Sequence, residues 1–236
     1  MSVMLNHDMQ TKHAKSVGWK QSMFVLLTTL VAASIYAFIR YNIVRDVPYS
    51  NIPLFIGNKS IALTATILIG ISFLLGPLAR FFPNIVVPRL YLRKHLGIAG
   101  FALAALHALM SLILFSPAYY PKFFLTSGKM NLIGESSMLF GILAFLVFAA
   151  ISITSLPPIE KHMHPLQWKF IQRLGYLAYV LVLFHVVIMG WAGWWNPESW
   201  KFGLASISII SALVIVFVLI MRVIVMVFPK KNGHVS

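Results

Sequence analysis

The sequence predicts an all-α integral membrane protein, a six-helix bundle with both termini cytoplasmic, and three observations carry that expectation. Of the 236 residues, 59% are hydrophobic and only 10% charged, with a mean hydropathy of +0.85; a soluble domain carries about a quarter charged residues. The apolar residues gather into six runs of the length that crosses a hydrocarbon core about 30 Å thick. The basic residues, 19 Lys and Arg against five Asp and Glu, sit in short clusters between those runs, the pattern that orients membrane helices. On a soluble domain this charge would suggest nucleic acid. Interleaved with spanning runs, it argues against that class.

The first run, 22–39, follows a cytoplasmic tail, 1–21, bearing Lys12, Lys15 and Lys20, and no A-x-A site ends it. It reads as an uncleaved first helix, not a signal peptide. The second run, 61–79, leads into a basic connection with Arg80, Arg89, Arg93 and Lys94. The third, 96–115, follows at once. The fourth, 136–154, begins just after Glu135 and precedes a connection with Lys161, Lys169 and Arg173. The fifth, 174–192, runs into GWAGWWNPESW, whose Trp191, Trp194, Trp195 and Trp200 suit an interfacial belt. The sixth, 203–227, completes a transmembrane domain over 22–228, ahead of a cytoplasmic tail, 229–236, with Lys230 and Lys231. The first connection (Arg40, Arg45, Lys59) and the third (Lys122, Lys129) are less basic and are expected outside.

The absence of cysteine excludes disulfides, thiolate-held clusters and covalent C-x-x-C-H haem. No dinucleotide or phosphate-loop glycine motif occurs, and the connections leave no room for a soluble domain. The five carboxylates avoid the helix centres, which weakens a carboxylate-driven pump or antiporter.

Histidine behaves differently. His7, His13 and His234 lie in the tails, and His162 and His164 in a connection where solvation is the simplest account. His95 stands at the inner end of the third helix. His107 and His185 are each deep in an apolar helix, where an ionisable residue is a functional hypothesis by default. Twelve residues separate His95 from His107 and Arg173 from His185, about 18 Å of helix in each case at about 1.5 Å per residue. The third and fifth helices run parallel, so both imidazoles reach a similar depth toward the outer leaflet and could clamp one iron. Gly100, Ala104 and Ala178, on the faces below the two histidines, are expected to leave a flat slot for a porphyrin. The competing account is that small residues only let helices pack closely.

The segments RKHLGIAGFALAALHALMSL and WKFIQRLGYLAYVLVLFHVVIMGW resemble the ferric-reductase-like transmembrane domain superfamily. That group includes the haem-binding MsrQ subunit type, the STEAP metalloreductases and the NADPH oxidases. The shared marks are a basic-LG-hydrophobic-LH pattern on the third helix and RL-Y-hydrophobic-H on the fifth. The likeness covers roughly residues 60–192. It implies that His107 and His185 are axial ligands of an outer haem b. It also implies an inner pair, for which His95 fits the third-helix member as a metal ligand. On the fifth helix the family often has histidine thirteen residues before the outer ligand, and here that position is Gln172. The inner site then stands open between a second haem on His95, a flavin (FMN or FAD), and a quinone. Arg93 and Arg173, with Arg89, Lys94 and Lys169, suit haem propionates or a flavin phosphate, or serve topology alone. Trp168 and Phe170 suit flavin stacking or interfacial anchoring.

The function so implied is transmembrane electron transfer. Electrons from a cytoplasmic flavin, a separate flavin reductase or membrane quinol would pass through a bis-histidine haem to an acceptor outside, a partner reductase or ferric iron. Membrane lipid surrounds the bundle, and a bacterial inner membrane is the expected location. Rivals are a small-solute transporter or channel without haem and a structural anchor; broken half-helices in matching positions, which the transporter needs, are not evident.

Overall fold

The computed structural model describes residues 2–196 and 200–228, and side chains from Gly18 onward. The tail residues His7, Lys12, His13, Lys15, Lys230, Lys231 and His234, together with Glu198, lie outside the described residues or side chains.

Six long helices follow one another: α1 Ser2–Phe38, α2 Gly57–Phe81, α3 Leu92–Leu114, α4 Leu132–Thr154, α5 Pro165–Trp194 and α6 Ile207–Val227. Each contributes a stretch long and apolar enough to cross a membrane. The protein is an integral membrane protein, and its described residues form an all-helical bundle. An even number of crossings returns the chain to the side on which it began.

The first five helices start earlier than the apolar runs suggest, and in α2 and α5 the reason is identifiable. In α2 the polar Asn58, Lys59 and Ser60 precede the apolar run yet belong to the helix, because each finds a partner there. Ser60 Oγ, for example, donates to the Ile56 carbonyl at 3.1 Å. A π turn, Ile52–Ile56, feeds directly into α2 and lengthens the crossing to Tyr49–Phe81. In α5 the amphipathic PLQWKFIQR is helical from Pro165, a residue whose fixed φ suits a helix start. His164 caps it, Nδ1 accepting from the Leu166 N–H at 3.3 Å. His162 Nδ1 bonds the Pro158 carbonyl at 2.6 Å. Both connection histidines thus serve local turns.

The second helix is the hub. Half of its apolar window is inside the bundle, against 17–28% for the other crossings, and it packs on α1, α3 and α6. Its Thr64 and Thr66 hydroxyls donate to the carbonyls one turn back at 2.8 and 2.9 Å, so neither burdens the apolar interior. Tyr179 of α5 donates to the Thr66 carbonyl at 2.6 Å and ties α5 to α2. Around that bond lies a core of Ile69, Phe148, Ile151, Ala178, Ile215 and Val218. The most extensive helix pairs are α2 with α3 and α4 with α5; α3 and α5 are not among the closely packed pairs.

Small residues account for these pairings and correct one expectation. A Cβ on Gly100 would stand 2.7 Å from Ile69 Cγ1 and 3.1 Å from the Ile69 backbone nitrogen. Ala178 is fully buried within the core. Both let helices approach, and neither lines a slot below the histidines.

Gly100→Val is therefore expected to lower stability by about 1–3 kcal/mol through overpacking against α2. Thermal unfolding in detergent checks this, and the loss should be the same with and without added haem.

Candidate functional site

A neutral imidazole buried among apolar side chains has one N–H to satisfy and one lone pair to offer. In His107 the hydrogen bond lies on Nδ1, 2.8 Å from Asn58 Oδ1. Asn58 is 1% exposed, and its Nδ2 donates to Ser111 Oγ at 3.0 Å. With the amide nitrogen committed to Ser111, Oδ1 must accept, and the proton therefore sits on Nδ1 of His107. Ser111 is one turn beyond His107 on α3, its Oγ 3.4 Å from the same ring nitrogen.

His185 repeats the arrangement with different parts. Its Nδ1 is 2.8 Å from the Ser137 carbonyl of α4, which can only accept, so this ring also carries its proton on Nδ1. Ser137 Oγ lies 3.1 Å from the same nitrogen. One turn further along α4, a Cβ on Gly141 would stand 3.1 Å from His185 Nδ1 and 3.3 Å from Cε1. Glycine there lets the ring lie flat against the α4 backbone.

Each ring therefore keeps its Nε2 lone pair free of protein hydrogen bonds among the described residues. His107 lies seven residues before Leu114, the end of α3, and His185 nine before Trp194, the end of α5. The two are at matched depth and within electrostatic reach of each other, on helices that do not pack closely together. Two ring pairs stack across neighbouring helices, Phe101 of α3 on Phe145 of α4 at 5.5 Å and Phe140 of α4 on Phe184 of α5 at 5.2 Å. Two neutral nitrogen donors, each fixed through its other nitrogen, form a donor set suited to one metal ion held from both sides.

The inner candidates are dispersed. His95 turns to α1: its ring meets Trp19 edge-on at 4.7 Å, its Nδ1 bonds the Tyr91 carbonyl at 3.1 Å, and Gly18 leaves room for it. Gln172 turns to the end of α4, donating to Ser155 Oγ at 2.9 Å. The structure does not bring these two together. Arg93 donates through Nε to the Ser72 carbonyl at 3.2 Å and lies within electrostatic reach of Tyr176. Arg173 is exposed. Arg222 of α6 lies over the Tyr176 ring at 4.9 Å, and that ring stacks on Phe73 at 4.9 Å. The described residues contain no group of three or more His, Cys, Asp or Glu placed to hold a metal.

The profile described as ferric reductase like transmembrane component matches residues 61–183, just over half of the chain. The chain belongs to this family. The ferric-reductase-like match includes His95, His107 and Gln172 and ends two residues short of His185. Human metalloreductase STEAP2 is 28% identical over 228 residues, covering 81% of this chain and 46% of that protein. Mouse metalloreductase STEAP2 is 27% identical over the same span, and rat metalloreductase STEAP3 26% identical over 211 residues, 74% of this chain and 43% of the relative. The chain thus spans about half the length of the curated relatives it matches.

Sequence reasoning within this ferric-reductase-like domain missed Asn58, Ser111, Ser137 and Gly141. Ser111 stands four residues after His107, and Ser137 and Gly141 stand four apart on one helix; that one-turn spacing was the available signal. Arg222, a charge inside an apolar run, was a second one.

Asn58→Leu is expected to weaken metal or haem binding at His107 about 10–100-fold, the usual cost of losing such an outer partner. Ser137→Ala should cost far less, since its backbone carbonyl still accepts from His185. Titration of each variant with hemin checks the contrast.

Proposed function

We propose that the chain is a transmembrane electron carrier that holds one haem b between His107 and His185. The observation that carries this reading is the matched pair of Nδ1–H imidazoles, each with Nε2 free of protein hydrogen bonds among the described residues, on two parallel helices that do not pack closely together. When bound there, a haem supplies reversible one-electron chemistry. Filling both axial positions with imidazole favours electron transfer over oxygen binding. Asn58 and the Ser137 carbonyl hold the two rings in a fixed tautomer and orientation. Burial of the two rings within the spanning helices excludes water and helps set the potential.

The relatives named as metalloreductases support ferric iron as an extracytoplasmic acceptor; a partner reductase is the other acceptor class. With its termini cytoplasmic by the distribution of Lys and Arg, the chain receives electrons at the end bearing Arg93, Arg173 and Gln172. The donor is a flavin, a separate flavin reductase or membrane quinol. The separation of His95 from Gln172 supports one haem rather than two, with Arg93, Arg222 and the Phe73–Tyr176 stack as the aromatic and cationic surface available to a planar donor. A bacterial inner membrane suits this arrangement.

Purified in mild detergent, the protein is expected to show a dithionite-reducible b-type spectrum at about one haem per chain, the load one bis-histidine pair can carry. His107→Ala and His185→Ala should each lose it. A colourless protein from haem-replete cells would overturn the electron-carrier reading in favour of a transporter. A ratio near two would restore an inner haem at His95.

A further inference from the structure

The two buried imidazoles are held by acceptors of different kinds. His185 gives its Nδ1–H to the Ser137 carbonyl, a backbone oxygen inside α4 that the helix ladder already engages. The Ser137 hydroxyl, 3.1 Å from the same nitrogen, is a secondary partner beside that closer carbonyl. His107 gives its proton to Asn58 Oδ1 at 2.8 Å, a side-chain oxygen outside any helix ladder. The same amide donates through Nδ2 to Ser111 Oγ at 3.0 Å. An amide that donates at one end accepts better at the other, and a low-dielectric interior strengthens both bonds. The His107 side therefore carries the stronger hydrogen bond, and one that a substitution can remove.

The acceptor is also locked in position, because one face of α2 meets α3 along most of its length. At one end Asn58 faces His107 and Ser111. In the middle Ile69 closes on Gly100, where a Cβ would stand 2.7 Å from Ile69 Cγ1. At the other end Ser72 Oγ donates to the Arg93 carbonyl at 2.7 Å, and Arg93 Nε returns a bond to the Ser72 carbonyl at 3.2 Å. These contacts fix the register of the two helices, so Asn58 cannot draw back from His107 without disturbing all of them. An imidazole whose N–H gives strongly to an acceptor is a more basic ligand, and a more basic ligand favours ferric over ferrous iron.

We infer that Asn58 is a positioning residue that sets the haem potential, holding it down from the His107 side through a register-locked hydrogen bond polarised by Ser111. The inference rests on the haem reading above and deepens it. It makes the two ligands unequal: His185 is oriented chiefly by main chain, whereas the basicity of His107 is tuned by a side chain.

The test compares Asn58→Leu, Asn58→Asp and Ser111→Ala with wild type. Thr64→Val, which removes a hydroxyl that bonds back within α2, controls for packing elsewhere on the same helix. The measurements are the haem midpoint potential at saturating hemin and, in haem-free protein with nitrogen-15-labelled histidine, the chemical shift of the His107 Nδ1 proton, identified by its absence in His107→Ala. Asn58→Leu is expected to weaken the preference for ferric over ferrous haem about tenfold, the scale of one hydrogen bond to a charged group. For one electron that raises the potential by about 59 mV. Ser111→Ala shifts it the same way by less. Asn58→Asp, whose carboxylate accepts more strongly, lowers it while keeping the low-spin spectrum of bis-imidazole ligation, and Thr64→Val stays at the wild-type potential. In the haem-free protein the His107 proton moves upfield in Asn58→Leu and downfield in Asn58→Asp. Potentials unchanged in both Asn58 variants, or shifted as far in Thr64→Val as in Asn58→Leu, would overturn the inference and leave the haem reading intact. A wild-type protein that takes up no haem would overturn the haem reading and the tuning role with it, whatever the His107 proton shows.

Discussion

The organisation of the bundle turns on a single constraint: an imidazole buried in an apolar interior must give its N–H to the protein, because no water is there to take it. His107 meets this through an amide from α2 and His185 through a carbonyl from α4. Each bond fixes more than a ring. The His107 contact requires Asn58 to be helical and wholly buried, which is why the second crossing begins in polar sequence. The His185 contact draws α4 against α5 closely enough that a Cβ at 141 would crowd the ring at 3.1 Å.

The packing follows the same division. The α2–α3 pair carries His107 and the α4–α5 pair carries His185, and the two pairs are joined through the core around Tyr179 rather than by direct α3–α5 packing. Hydroxyls that would be costly in a membrane are absorbed locally, as Thr64 and Thr66 show by bonding back one turn. The result is two tightly packed helix pairs, each holding one of the buried histidines. On the proposed reading, fixed partners around a metal ligand tune basicity and orientation together, and the frame would be part of the chemistry.

The six crossings, their order and the depth of His107 and His185 were readable from hydropathy and spacing, because apolar length is what a bilayer demands. The uses of Gly100 and Ala178 were not. A helical wheel shows which face a residue shares with a histidine, but not which neighbour occupies that face, and here the neighbours were Ile69 and the Tyr179 core. Asn58 escaped notice because it lies outside the apolar run, and its role depends on a partner 49 positions away. By the family resemblance His95 fits the third-helix member of an inner pair; its ring meets Trp19 of α1 edge-on, a contact no spacing within α3 could reveal. Gln172, singled out as a departure from the family pattern, bonds Ser155 at the end of α4 instead of standing opposite His95.

The central claim is that one iron is held by His107 and His185 together. Low-temperature electron paramagnetic resonance of the oxidised, purified protein tests it most directly. The account predicts a low-spin ferric signal of the bis-imidazole type, lost on replacing either histidine by alanine. A high-spin, five-coordinate signal in wild type, or a low-spin signal that persists when His185 is replaced, would contradict it.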